Sequence, residues 1–180
     1  MRIRHGFAAL LLFTLTSACE PTTAPETRGS DPAPSLTTTR DASAPSPAAG
    51  TFNQTAVTGL ETRTTGPNTI IEQTSEGTIS GTLGGSYQDR LRVVIHPDGR
   101  FNAHFTITCQ CTVGGESGVL ELVATDRGEI VGPATAVFSG RAVIRGGSGD
   151  LADLRGVLVI AGTVDLASGL STYGYSGHIH

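Results

Sequence analysis

The chain has 180 residues, 38% of them hydrophobic, and carries 16 acids against 12 bases for a formal net charge of −4. Every base is an arginine, which excludes a Schiff-base lysine, a P-loop lysine and a serine-lysine dyad, and the acidic balance argues against nucleic acid as a partner. Tryptophan is absent, aromatics are 5% and glycine reaches 24 residues, a composition of many tight turns and few large anchors.

The amino terminus reads as an export signal. Arg2 and Arg4 give a basic start, and the mostly apolar run from Phe7 to Ala18 ends in Leu15-Thr16-Ser17-Ala18-Cys19. That run is short of the roughly 20 apolar residues of a membrane span. Its end resembles the lipobox of bacterial lipoproteins, with Thr16 where that family usually has Leu and Leu15 one position early. The expectation is a signal peptide over 1–18, lipid attachment at Cys19 and a place at the bacterial cell envelope, with the membrane engaged through the lipid alone. Cleavage after Ala18, giving a secreted soluble protein, is the alternative. Removal of the signal leaves ten bases against 16 acids.

From 20 to 50 the chain holds six of its nine prolines and hardly a large apolar side chain, so this stretch cannot build a core. Residues 19–51 are expected to form a tether, spanning about 30 Å as a random coil. Residues 52–180 are expected to form one domain.

In that domain no window holds a helical stripe for three turns, and short β-rich runs alternate with glycine. Strands are predicted at 54–63, 68–74, 78–83, 87–96, 100–112, 117–125, 134–145, 155–165 and 170–180. Eight or nine strands indicate an all-β barrel or sandwich. His96-Pro97-Asp98-Gly99-Arg100 is a hairpin signal, and Asp165-Leu166-Ala167-Ser168-Gly169 closes a second short loop, so sequential antiparallel pairing is expected. Within 101–111 the odd positions, Phe101, Ala103, Phe105, Ile107, Cys109 and Cys111, are apolar and the even ones polar. One face is core and the other wet.

The run from Val143 through Arg145-Gly146-Gly147-Ser148-Gly149-Asp150-Leu151 to Arg155-Gly156-Val157 resembles the Gly-Gly-Ser/Thr-Gly then Arg-Gly signature of allene oxide cyclase-like and dirigent-like barrels. The segments around Gly114-Gly115-Glu116 and Tyr173-Gly174-Tyr175 resemble a bacterial group of the same kind. The resemblance covers roughly 77–180 and implies a closed antiparallel barrel of about eight strands. In some members such a barrel guides cyclisation or radical coupling of hydrophobic small molecules, and dirigent-like relatives imply oligomers. No catalytic residue carries over, because the shared motif is structural. Read physically, Gly146, Gly147 and Gly149 supply positive φ or close approach, Leu151 and Leu154 return to the core, and Gly156 starts the next strand against a neighbour.

Cys109 and Cys111 share a strand face at about 7 Å between α-carbons, near the limit for a disulfide, so a bridge is expected to need a bulge. Buried thiols, a strained bridge and half a metal site stay open. His178 and His180 would complete a Cys2His2 set but alternate with Tyr173, Tyr175 and Ile179, which puts them on the opposite face, so no metal is expected. No serine sits in a GxSxG elbow. Glu61, Glu72 and Glu121 are candidate polarising groups should they point inward, as is Arg141, which could anchor a carboxylate at a barrel mouth; a solvated outer face is the competing reading for all four.

The function expected is a non-catalytic envelope barrel that binds a small apolar ligand or a partner, without cofactor. The alternative is a cyclase or isomerase confining an apolar substrate, which requires a desolvated acid facing a cavity. Small inward residues (Ala103, Gly140, Ala142, Gly162, Gly177) would leave room for a guest, and large ones (Phe101, Phe105, Phe138, Ile160) would fill it.

Overall fold

The structure is a computed structural model that describes residues 44–180. The signal segment, Cys19 and most of the expected tether lie outside the described residues. Eight antiparallel strands close into a barrel in chain order: β1 (Ser46–Thr65), β2 (Asn68–Gly81), β3 (Gly84–Ile95), β4 (Arg100–Val113), β5 (Glu116–Ile130), β6 (Thr135–Gly147), β7 (Gly156–Asp165) and β8 (Ser171–Ile179). The short turns between them are what sequential hairpins require, and both signalled loops are present, with Gly99 and Gly169 in the left-handed region.

Two boundaries differ from the sequence reading. β1 begins at Ser46, inside the stretch assigned to the tether, and residues 46–53 pair with β8 to close the barrel. Ala48 is buried there, and Pro47 is tolerated because this end of β1 has only β8 as a partner. The predicted strands at 68–74 and 78–83 are one strand, β2; the polar Ser75-Glu76-Gly77 run resembles a turn, but Ser75 points inward to a hydrogen-bond partner.

Alternation sets the two surfaces. In β4 each of the six odd residues from Phe101 to Cys111 is buried, as the pattern predicts. Outward positions carry Gln88, Arg90, Arg92, His104 and Arg127, the reverse of the apolar outer band of a membrane-spanning barrel. β1 departs from strict alternation. Register shifts between Gln54 and Ala56 and between Val57 and Gly59 change its phase twice, so that Phe52, Gln54, Val57, Leu60 and Thr62 face inward.

One end of the barrel is solid. Leu83, Ile107, Cys109, Leu120, Leu122, Ile144, Leu158 and Ile160 fill it. The motif at 146–156 seals it: a 3-10 turn, Gly149–Leu151, drops Leu151 into the core, with Leu154 packed behind. Of the three glycines expected to need special geometry, Gly149 has positive φ (64°) and Gly147 a close approach, since a Cβ there would lie 2.4 Å from the Leu151 carbonyl oxygen. Gly146 needs neither; it lies in β6, and its nearest neighbour is Arg155. Gly156 opens β7 as expected.

Cys109 and Cys111 form a disulfide with 5.3 Å between their α-carbons. No bulge accompanies it, because β4 keeps continuous register with β3 and β5. Gly85 and Gly118 stand opposite Cys111 on the two flanking strands, and a Cβ at Gly85 would lie 2.0 Å from the carbonyl oxygen of Gln110, so the backbone between the cysteines packs where only a glycine leaves room. His178 and His180 project outward, away from the sulfurs.

Candidate functional site

The other end of the barrel is hollow. A cavity of about 380 Å³ opens at the mouth formed by the β1–β2, β3–β4, β5–β6 and β7–β8 turns. Its walls are apolar: Leu91, Val93 and Ile95 from β3, Phe101, Ala103 and Phe105 from β4, Phe138 from β6 and Val164 from β7. The small and the large inward residues weighed from the sequence therefore both point inward, at different heights. Phe101, Ala103, Phe105 and Phe138 wall the cavity, while Ala142 and Ile160 belong to the solid half.

Polar groups gather at the cavity floor. Asp89 lies on β3, in phase with Tyr87, Leu91 and Val93, and Asp126 lies on β5, in phase with Leu120, Leu122 and Ala124. Strand phase leaves both side chains no direction but inward.

Asp89 is held by a relay. The backbone N–H and hydroxyl of Ser171 donate to Gln54 Oε1 at 2.9 and 3.1 Å, fixing the amide so that its Nε2 donates to Ser75 Oγ and, at 3.4 Å, to Asp89 Oδ2. Ser75 Oγ donates in turn to Asp89 Oδ1. Burial raises the Asp89 pKa, and the hydrogen bonds from Ser75 and Gln54 oppose that rise.

Asp126 has no such support. Its Oδ1 is buried without a hydrogen-bond partner among the described residues, and burial alone pushes its pKa up to about 7. Its neighbours across the ladder are the two smallest inward options, Ala103 on β4 and Gly140 on β6.

Beneath them is an aromatic floor. Phe52 stacks on Tyr173 (4.8 Å between centroids, 11°) and meets Tyr87 and Tyr175 edge-on at 5.4 Å, while Phe138 meets Tyr173 edge-on at 5.6 Å. The Tyr87 and Tyr173 hydroxyls are buried near one another, neither in good hydrogen-bond geometry with a partner among the described residues. Both phenol pKa values are raised, by burial first and then by neighbouring acidic groups, Asp89 among them. Tyr175 is spent elsewhere: its hydroxyl accepts from the Leu83 N–H at 2.8 Å and ties β8 to the sealed end.

The four candidate polarising residues are not in this site. Glu61, Glu72, Glu121 and Arg141 are all exposed on the outer surface. Glu72 bridges two arginines there, Arg63 at 2.9 Å on β1 and Arg92 at 3.7 Å on β3, which offsets its position opposite Glu61. The residues that do line the cavity, Asp89, Asp126, Gln54 and Tyr173, and Ser75 bonded to Asp89, were legible only as polar members of otherwise apolar alternating runs. Among the described residues, no arginine or histidine lines the cavity.

Chemically the arrangement offers an apolar chamber with one pre-bonded carboxyl and one uncommitted carboxyl that titrates near neutrality. The models of known protein families and the curated proteins give no match to this chain.

Proposed function

We propose that this protein is an exported binding barrel, lipid-anchored at Cys19, that holds a small and mostly apolar molecule in the mouth cavity. A place in the allene oxide cyclase-like group is part of the same proposal. The observation that carries it is the asymmetry of the interior: one half of the barrel is filled by buried side chains, and the other keeps about 380 Å³ lined by apolar and aromatic side chains. A barrel of eight strands can be filled by its own side chains or hold one ligand, and the small residues at Ala103 and Gly140 favour the second outcome.

The test is native mass spectrometry of the full chain after exposure to a lipid extract of its own host. A retained mass that is lost on denaturation is expected; no retained mass across several extracts would argue against a carried molecule.

A second reading is supported by Asp126. A desolvated acid with a pKa of about 7 is suited to taking a proton from one carbon of a confined substrate and returning it to another, an isomerisation that needs no co-reactant. Turnover of the molecule identified by mass spectrometry, lost in Asp126→Asn, would separate enzyme from carrier.

A further inference from the structure

The binding reading leaves open which polar group the apolar guest carries, and the cavity restricts that choice. Its acidic groups are Asp89, Asp126 and Tyr173, with Tyr87 just below, and no basic side chain among the described residues lines it. Against them β4 presents Ala103 and Phe105, β6 presents Gly140 and Phe138, β1 Gln54, β2 Gln73 and Ser75, and β7 Ile160, none of them titratable. The nearby His104, Arg127 and Arg141 stand on the outer surface. A ligand carboxylate would enter a site holding two carboxyls and no counter-charge, which disfavours anionic guests.

Asp126 supplies the positive side of the argument. Asp126 is 5% exposed and lines the cavity, its Oδ1 has no hydrogen-bond partner among the described residues, and the room it occupies is kept open by Gly140. A buried carboxylate short of donors is a cost that a guest can reduce by pairing with it where Asp126 lines the cavity. A charged donor removes it best, because an ion-paired hydrogen bond is about twice as strong as a neutral one. The surrounding rings of Phe101, Phe105, Phe138 and Tyr173 add faces on which a cation can rest.

We propose that the mouth cavity selects cationic amines attached to an apolar body, with the ammonium paired to Asp126 and the body against the aromatic wall. This rests on the binding reading above and narrows it. Because Asp126 must be ionised to make the pair, amine affinity rises with pH through the neutral range. Each pH unit below the free carboxyl's pKa weakens binding by about tenfold.

The test uses the full chain and three matched probes: phenylbutylamine, phenylbutanol and phenylbutyrate. Calorimetric titration at about pH 8.5 is expected to give an amine affinity at least about tenfold above that of the alcohol. The amine's affinity should fall by about thirty-fold at about pH 5.5, and its advantage should vanish in Asp126→Asn. Equal or tighter binding of the alcohol or the carboxylate overturns the amine assignment and leaves the binding barrel standing. So does an amine preference that survives in the variant or ignores pH. Failure of all three probes to bind overturns the assignment and counts against the cavity as a binding site. The pH series on the unaltered protein carries the test should the variant not fold.

Discussion

Gly140 stands directly opposite Asp126 across the β5–β6 ladder, and a Cβ there would lie 2.0 Å from Asp126 Oδ1 and 2.2 Å from the Thr125 carbonyl oxygen. The glycine thereby fixes where the carboxyl can sit. Gly140→Ala is expected to cost about 1–3 kcal/mol by overpacking, with Asp126 displaced from the cavity floor. Urea denaturation measures the first effect and carboxyl NMR titration the second; an unshifted Asp126 in a stable variant would contradict the account.

Stability should depend on pH through the same carboxyl. Asp126 stays protonated in the folded chain up to about pH 7, whereas an unfolded aspartate releases its proton near pH 4. Between those values the folded state binds the extra proton, so stability falls as pH rises, and the fall is complete above about pH 7. Its size is roughly 2–4 kcal/mol once the cavity's contact with water is allowed for. Asp89, also raised by burial, acts in the same direction. Relative to the unaltered chain, Asp126→Asn should gain stability between about pH 5 and pH 8, read from denaturant midpoints at each pH.

The disulfide is shielded rather than poised for exchange. Cys109 and Cys111 are 0% and 2% exposed in the solid half of the barrel. Reductant with an alkylating agent is expected to label neither Cys109 nor Cys111 in the folded chain and both of them after guanidinium treatment. Replacing both cysteines by alanine should cost about 2–4 kcal/mol, from lost core volume and a small closed loop together.

Truncation tests where the domain begins. A chain starting at Phe52 lacks the 46–51 segment of β1 and bares the edge of β8 where that segment would pair. It should melt lower or aggregate, while a chain starting at residue 44 melts as the full protein does. Circular dichroism melts and size-exclusion profiles of the two would decide the point.

Much of the barrel was legible because alternation of period two runs through β4 and the hairpin turns carry Pro-Asp-Gly and Ser-Gly signals. The closing strand was not, because Ser46 to Gly50 is made of small residues and proline that look like the linker before them; only pairing with β8 gives the segment a role. The site stayed hidden for a related reason. Of the two readings open to the strand glutamates the solvated outer face holds, since Glu121 alternates with Leu120 and Leu122 and points outward, while Asp126, not among the candidates, shares their inward phase. In β1 alternation itself fails, since two bulges reverse the phase and no residue pattern announces them. Gln54, Ser75 and Ser171 come together only in the closed barrel, being 21 and 117 residues apart in pairs.

The seam between residues 46–53 and 172–179 also governs timing. Its partners are nearly the whole described chain apart, so the contact that closes the barrel is among the last a growing chain can make. Until β8 exists, every partly built form is an open sheet with two bare edges, and the cavity has no floor because Tyr173 has yet to arrive. The capacity to hold a guest and the removal of exposed edges therefore come in a single late event.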